Sequence, residues 1–159
     1  MVVGESGQGK TTFIQNMFMA YVGEQDVQAV ADGSVTSMVE FMADPDRLCT
    51  RFQVANEDER VRYHFSVQDT PGYGDDLNIA NNIGVIVDYV ARCNADFYAA
   101  EVEHGRQRSE PEDCRVDVCL YFVAAHRLKP VDVQFIAALA PHVALIPIIA
   151  KADCMTTEE

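Results

Sequence analysis

With 159 residues, 48% of them hydrophobic, and no low-complexity run, the chain has the composition of one globular domain and not of a disordered segment. Twelve basic residues against 25 acidic ones leave a formal charge of −13, a field that disfavours nucleic-acid backbones and anionic lipid without forbidding a locally built anion site. Five cysteines with no C-x-x-C pair speak against a disulfide framework or zinc site, and no apolar run is long enough for a bilayer span, so a reduced, cytosolic protein is expected.

In chain order, Met1, Val2 and Val3 read as the end of a buried strand. A helix is predicted over about residues 11–21, with Phe13, Ile14, Met17, Phe18 and Tyr21 at helical spacing. Residues 23–34 read as a polar loop. Residues 51–56 and 61–68 form a predicted hairpin around a charged turn, with Val61, Tyr63, Phe65 and Val67 sharing one face. A second helix is predicted over residues 77–98, followed by a charged loop over 101–114. Residues 116–124 read as a buried strand, 131–139 as a helix opened by Pro130, and 143–150 as a parallel strand covered on both faces. Alternating strands and helices predict a three-layer α/β fold around a mostly parallel sheet, with ligands at the carboxyl ends of its strands.

Three short segments carry the chemistry. Residues 4–11, GESGQGKT, match G-x-x-x-x-G-K-S/T between an apolar strand and an amphipathic helix. Gly4, Gly7 and Gly9, with Ser6 between them, let backbone N–H groups turn onto phosphates. Lys10 reaches the β- and γ-phosphates, and Thr11, followed by Thr12, supplies a hydroxyl to Mg²⁺. The helix behind them aims its positive end at the same anion. Asp69-Thr70-Pro71-Gly72 ends the alternating strand. That tetrapeptide is an ordinary turn by itself. Behind a phosphate loop, the aspartate can hold Mg²⁺ through water and the glycine N–H can meet the γ-phosphate. Ala150-Lys151-Ala152-Asp153 follows the last apolar strand and would pass alone for a strand-end charge pair. As the third motif in order, its aspartate selects guanine by accepting from N1–H and the exocyclic amine, and the lysine stem covers the base.

GESGQGKTT, DTPGYGDD and AKAD, in that order, resemble the septin family of GTP-binding cytoskeletal proteins, as does RVDVCLYFVAAHRLKPVD. The alanine before Lys151 stands where most Ras-like GTPases carry asparagine. The likeness spans nearly the whole chain and is poor only over residues 29–50. The resemblance implies a P-loop NTPase domain of the septin type, truncated at both ends because residue 1 falls inside a core strand. It implies GTP or GDP with Mg²⁺, bound by Gly4, Gly9, Lys10, Thr11, Asp69, Gly72, Lys151 and Asp153. It also implies partner subunits, identical or paralogous, joined across the nucleotide, toward which His126 and Glu159 would reach. Thr36 is the proposed switch threonine that orders metal and water, with Thr50 as the alternative. Arg106 or Arg108, the latter preferred, would act as an arginine finger across a dimer. His64, His104 and His142 are assigned no role.

The family likeness further implies a cytoplasmic, cytoskeletal location, with membrane contact left to regions outside this chain. As an isolated piece, the chain is expected to fold marginally and bind GTP weakly. The residues also admit two other readings. One is a filament subunit holding its nucleotide without appreciable hydrolysis; the other is a related membrane-surface or immune-type GTPase, against which AKAD and LKPVD argue.

Overall fold

The computed structural model of the chain describes residues 1–18, 27–29, 35–56, 58, 60–74, 79–104, 113–156 and 158. Its central layer is a parallel three-stranded sheet in the order β1 (Val2–Gly4), β5 (Val118–Ala124), β6 (Ala144–Ala150). The register pairs Gly4 with Phe122 and Phe122 with Ile148, so the carboxyl ends of the three strands lie along one edge. A second, antiparallel sheet joins β2 (Val27–Ala29), β3 (Cys49–Asn56) and β4 (Val61–Gln68). At the β3–β4 turn the Asn56 side chain accepts from the Asp58 N–H and Arg60 adopts φ 55°. The Thr70 hydroxyl donates to the Val2 carbonyl at 2.8 Å, fastening the segment after β4 to β1.

The period of two along a strand makes the layers. Val3, Cys119 and Tyr121 face a core with Phe41, Ile86, Val90, Phe135 and Leu139. Their neighbours Val2 and Phe122 face the other way, onto Ile14, Phe52 and Val67. One core therefore lies under α2 (Met38–Ala43), α3 (Ile79–His104) and α4 (Pro130–Leu139), and the other under α1 (Lys10–Phe18) and the antiparallel sheet. The three-layer α/β expectation holds. No helix among the described residues is long and apolar enough to cross a membrane, and the five cysteines are free thiols.

Three local expectations change, and one helix adds to them. The loop predicted over residues 23–34 contains β2, whose pairing with β3 comes from tertiary contact and not from β propensity. Residues 38–43 form a helix because the Ser37 side chain caps it, accepting from the Glu40 N–H at 3.2 Å. The helix predicted to end at residue 98 runs to His104, taking in Glu101 and Glu103. Finally, Ile146 and Ile149 of β6 are half exposed, as are Val61, Tyr63 and Phe65 of β4, so neither apolar run is fully covered among the described residues.

Candidate functional site

The phosphate-loop sequence leaves β1 at Gly4, turns through Gly7 and Gly9 at φ 74° and 81°, and enters α1 at Lys10. Lys10 is buried within the loop, where its Nζ donates to the Gly4 carbonyl at 3.0 Å and the Glu5 carbonyl at 2.9 Å. The loop's own backbone thus pre-positions the one buried cation among the described residues.

Asp69 follows β4 directly, its N–H bonded to the Leu48 carbonyl. One carboxylate oxygen accepts from the Thr70 N–H at 2.9 Å and the other from the Thr11 hydroxyl at 2.5 Å. These two hard oxygen donors, a hydroxyl and a carboxylate, suit Mg²⁺, which takes only one or two protein ligands and fills its octahedron with water and phosphate oxygens. No cluster of three or more His, Cys, Asp or Glu among the described residues offers a complete protein cage. Thr11 and Asp69 therefore fit a metal that arrives with a phosphorylated ligand.

Burial raises the Asp69 pKa above its ordinary 3.8, opposed in turn by the Thr11 hydrogen bond, the Thr70 N–H and the Lys10 charge. A carboxyl with a raised folded-state pKa favours folding when protonated. Its ionised form opposes folding fully above that raised value, and the opposition fades as pH falls toward 3.8. Asp69→Asn keeps the shape, and the Thr11 hydroxyl can turn to accept from the new amide. Without Mg²⁺ and nucleotide, this substitution is expected to raise the melting temperature at pH 7 by about 3 °C. The gain should shrink as the melts are repeated at progressively lower pH. A variant that melts lower than wild type at pH 7 would show that burial is not the dominant effect.

Gly72 packs on the phosphate loop so closely that a Cβ there would lie 2.3 Å from the Ser6 Cα and 2.5 Å from its nitrogen. The Ser6 N–H donates to the Tyr73 carbonyl at 3.0 Å, and Glu5 pairs with Tyr73 in a parallel bridge. A cleft of 360 Å³ opens between these segments. Ser6, Gly7, Gly9, Lys10, Thr11 and Thr12 form one wall, and Asp69 and Gly72 another. Thr36 closes it, at the start of the capped helix α2, with its N–H 3.4 Å from the Glu40 carboxylate. Thr50, the alternative, is buried in β3 opposite Val67 and does not line the cleft.

Lys151 and Asp153 lie outside this cleft but on the same sheet edge. They follow β6, which stands two strand spacings from β1, roughly 10 Å. Both are exposed, Lys151 at φ 54° and Asp153 in the 3-10 turn Ala152–Cys154. His126 follows β5 at φ 64° and lines a separate 310 Å³ cavity with Ile149 and Met155. A left-handed backbone at a non-glycine residue costs about 1 kcal/mol or more and concentrates at functional positions. Two of the three such residues described stand at these strand ends. Arg106, Arg108 and Glu159 lie outside the described residues.

Five residues beside the cleft were not anticipated as site residues. Asp132, in the first turn of α4, accepts at one oxygen from the hydroxyls of Tyr73 and Tyr121, the latter at 3.0 Å, and at the other from the Lys129 N–H at 2.8 Å. The Lys129 ammonium pairs with the Glu5 carboxylate. Burial, first of all, pushes the pKa of both tyrosines up, so their hydroxyls remain donors at physiological pH.

A family model described as Septin matches residues 1–159. The chain is 34% identical over 161 residues to Septin-9 of Rattus norvegicus, an alignment covering 100% of this chain and 27% of the relative. It is 37% identical to Septin-2B of Xenopus laevis, covering 100% of this chain and 43% of that protein. The chain thus spans less than half the length of these relatives. Among solved structures, it superposes on the septin GTPase domain of Chlamydomonas reinhardtii with a TM-score of 0.79 at 36% identity, covering 99% of this chain and 53% of that one.

Proposed function

The chain belongs to the septin family, and from that premise we propose that it binds GTP and GDP with Mg²⁺ and hydrolyses GTP slowly, as part of a protein that assembles into cytoskeletal filaments across its nucleotide-binding face. The observation that carries the reading is the convergence, on one cleft, of the buried Lys10, the paired Thr11 and Asp69 oxygens, and Gly72. Two segments distant in sequence, the phosphate loop with Lys10 and Thr11 and the turn from Asp69 to Gly72, meet there, and together they bear the groups that a Mg²⁺-nucleoside triphosphate requires.

In this reading, loop N–H groups and Lys10 hold the phosphates, while Thr11 and Asp69 hold the metal, Asp69 through water. Mg²⁺ would supply charge neutralisation at the phosphate oxygens. Thr36 orients the attacking water, Gly72 N–H meets the γ-phosphate, and Asp153 with Lys151 selects and covers guanine. Arg106 or Arg108 adds charge from a second subunit, and His126 and Glu159 reach toward that subunit's nucleotide. The partner is another septin, identical or paralogous, and the location is the cytoskeleton. Membrane contact is not expected of this acidic segment.

The test uses the full-length protein. Acid extraction followed by chromatography should release a guanine nucleotide, and Thr36→Ala should slow single-turnover GTP hydrolysis by on the order of a hundredfold while leaving GDP affinity unchanged. Extraction of adenine nucleotide would overturn the guanine assignment. Hydrolysis at the wild-type rate in Thr36→Ala would remove Thr36 from the chemistry.

A further inference from the structure

We propose that Tyr73 and Asp132 are positioning residues that fix Gly72 against the phosphate loop and tie the triphosphate-sensing segment to the first turn of α4. Tyr73 is the residue after Gly72 and is held at three places. Its carbonyl accepts from the Ser6 N–H at 3.0 Å. Its ring stacks on Phe135 with centroids 4.7 Å apart. Its hydroxyl donates to Asp132 and lies 3.0 Å from the Tyr121 hydroxyl.

Tyr73, Tyr121 and Asp132 are all almost completely buried. Filling this space with phenylalanine and an aliphatic residue would avoid the desolvation of a carboxylate. A buried, fully hydrogen-bonded acid under a glycine that touches the phosphate loop is therefore an expensive way to pack a core. It is an effective way to fix one geometry.

Lys129, three residues before Asp132, adds a second tether through its ion pair with Glu5 on the phosphate loop. The start of α4 thereby grips both flanks of the cleft, one through Glu5 and one through Tyr73. Residues 125–129, which carry His126 and lead from β5 into α4, end at this grip. A shift of Gly72 between diphosphate and triphosphate states must move α4 with it or break the Tyr73–Asp132 contact.

The inference rests on the nucleotide reading above. Its test is the ratio of GDP to GTPγS dissociation constants for the full-length protein, measured by displacement of a fluorescent guanine nucleotide. Tyr73→Phe keeps the ring on Phe135 and removes only the hydroxyl. It should cut the preference for the triphosphate about tenfold, the size of one hydrogen bond to a charged group, with GDP affinity changed by less than about twofold. Asp132→Ala, which removes the acceptor of the Tyr73 hydroxyl, should produce the same loss. Tyr121→Phe, which leaves the Tyr73–Asp132 contact in place, should leave the ratio within about twofold of wild type.

An unchanged ratio in Tyr73→Phe overturns the inference. So does an equal fall in Tyr121→Phe, which would mean that any weakening of this core acts alike. Wild-type protein that binds both nucleotides without preference also overturns it, while leaving the nucleotide reading intact. Wild-type protein that binds neither guanine nucleotide sinks the reading itself, and the inference with it.

Discussion

Lys10→Ala is expected to weaken GTP binding by the full-length protein at least a hundredfold, equivalent to about 3 kcal/mol. The surroundings of Lys10 explain the size. The chain carries a formal charge of −13, and Asp69 stands buried beside the same loop. A triphosphate entering this cleft meets one buried ammonium whose attraction, at a few ångströms and an effective dielectric near 20, is worth about 4 kcal/mol per unit charge. That ammonium is already oriented by the Gly4 and Glu5 carbonyls, so binding does not have to immobilise a free side chain. Removing it also withdraws a charge that helps keep Asp69 ionised, so Mg²⁺ affinity should fall together with nucleotide affinity. Lys10→Arg should not rescue, because a planar guanidinium cannot occupy the buried space between two carbonyls that a compact ammonium fills. Titration calorimetry with GTPγS and Mg²⁺ provides the measurement. Affinity within threefold of wild type in a folded Lys10→Ala protein would mean that the phosphates bind elsewhere.

How much of this was legible in the sequence follows from the distance over which each feature is determined. The phosphate loop is local: eight consecutive residues dictate its turns, and its flanking strand and helix are visible in the hydrophobic pattern. Asp69 and Gly72 were legible because they end an alternating strand, although their approach to Ser6 and Thr11 spans about sixty residues and needed the structure. Helix α2 carries a local signal in the sequence, a serine followed three residues later by glutamate. Thr36 could be named only through family likeness. Its place in the cleft depends on that capped helix, whereas the rival Thr50 is consumed by pairing in β3.

The Asp132 cluster was not legible at all. Tyr73, Tyr121 and Asp132 each look unremarkable in sequence: a tyrosine after a turn, a tyrosine in a strand, and an acid in the first turn of a helix. Only the register of β5 on β1 and the packing of α4 over it bring them together. The same holds for Glu5 and Lys129, which are 124 residues apart. Burial of the apolar strands failed for a related reason. An alternating or continuous apolar run states that a face can be covered and not what covers it, so the half-exposed Phe65 and Ile149 could not be foreseen from their own segments.

The close packing at Gly72 makes the last substitution the most disruptive for its size. In Gly72→Ala a single methyl group would stand 2.3 Å from the Ser6 Cα, 2.5 Å from its nitrogen and 2.8 Å from its Cβ. The first two are backbone atoms of the phosphate loop and cannot swing aside as a side-chain tip would. Gly72 does not occupy the left-handed region, so the whole penalty is steric and must be relieved by separating the two segments. Separation breaks the bond from Ser6 N–H to the Tyr73 carbonyl and draws Tyr73 off Asp132. The expected cost is about 3 kcal/mol, or roughly a 10 °C fall in melting temperature for a domain of this size. Preference for GTPγS over GDP should disappear in the same protein. Gly7→Ala is the matching control, since a Cβ there meets nothing within 4 Å and pays only for its φ of 74°, about 1 kcal/mol. If thermal melts place Gly72→Ala level with Gly7→Ala, the two segments can part without strain. Gly72 would then be no more than a turn residue, and the triphosphate would have to be sensed elsewhere.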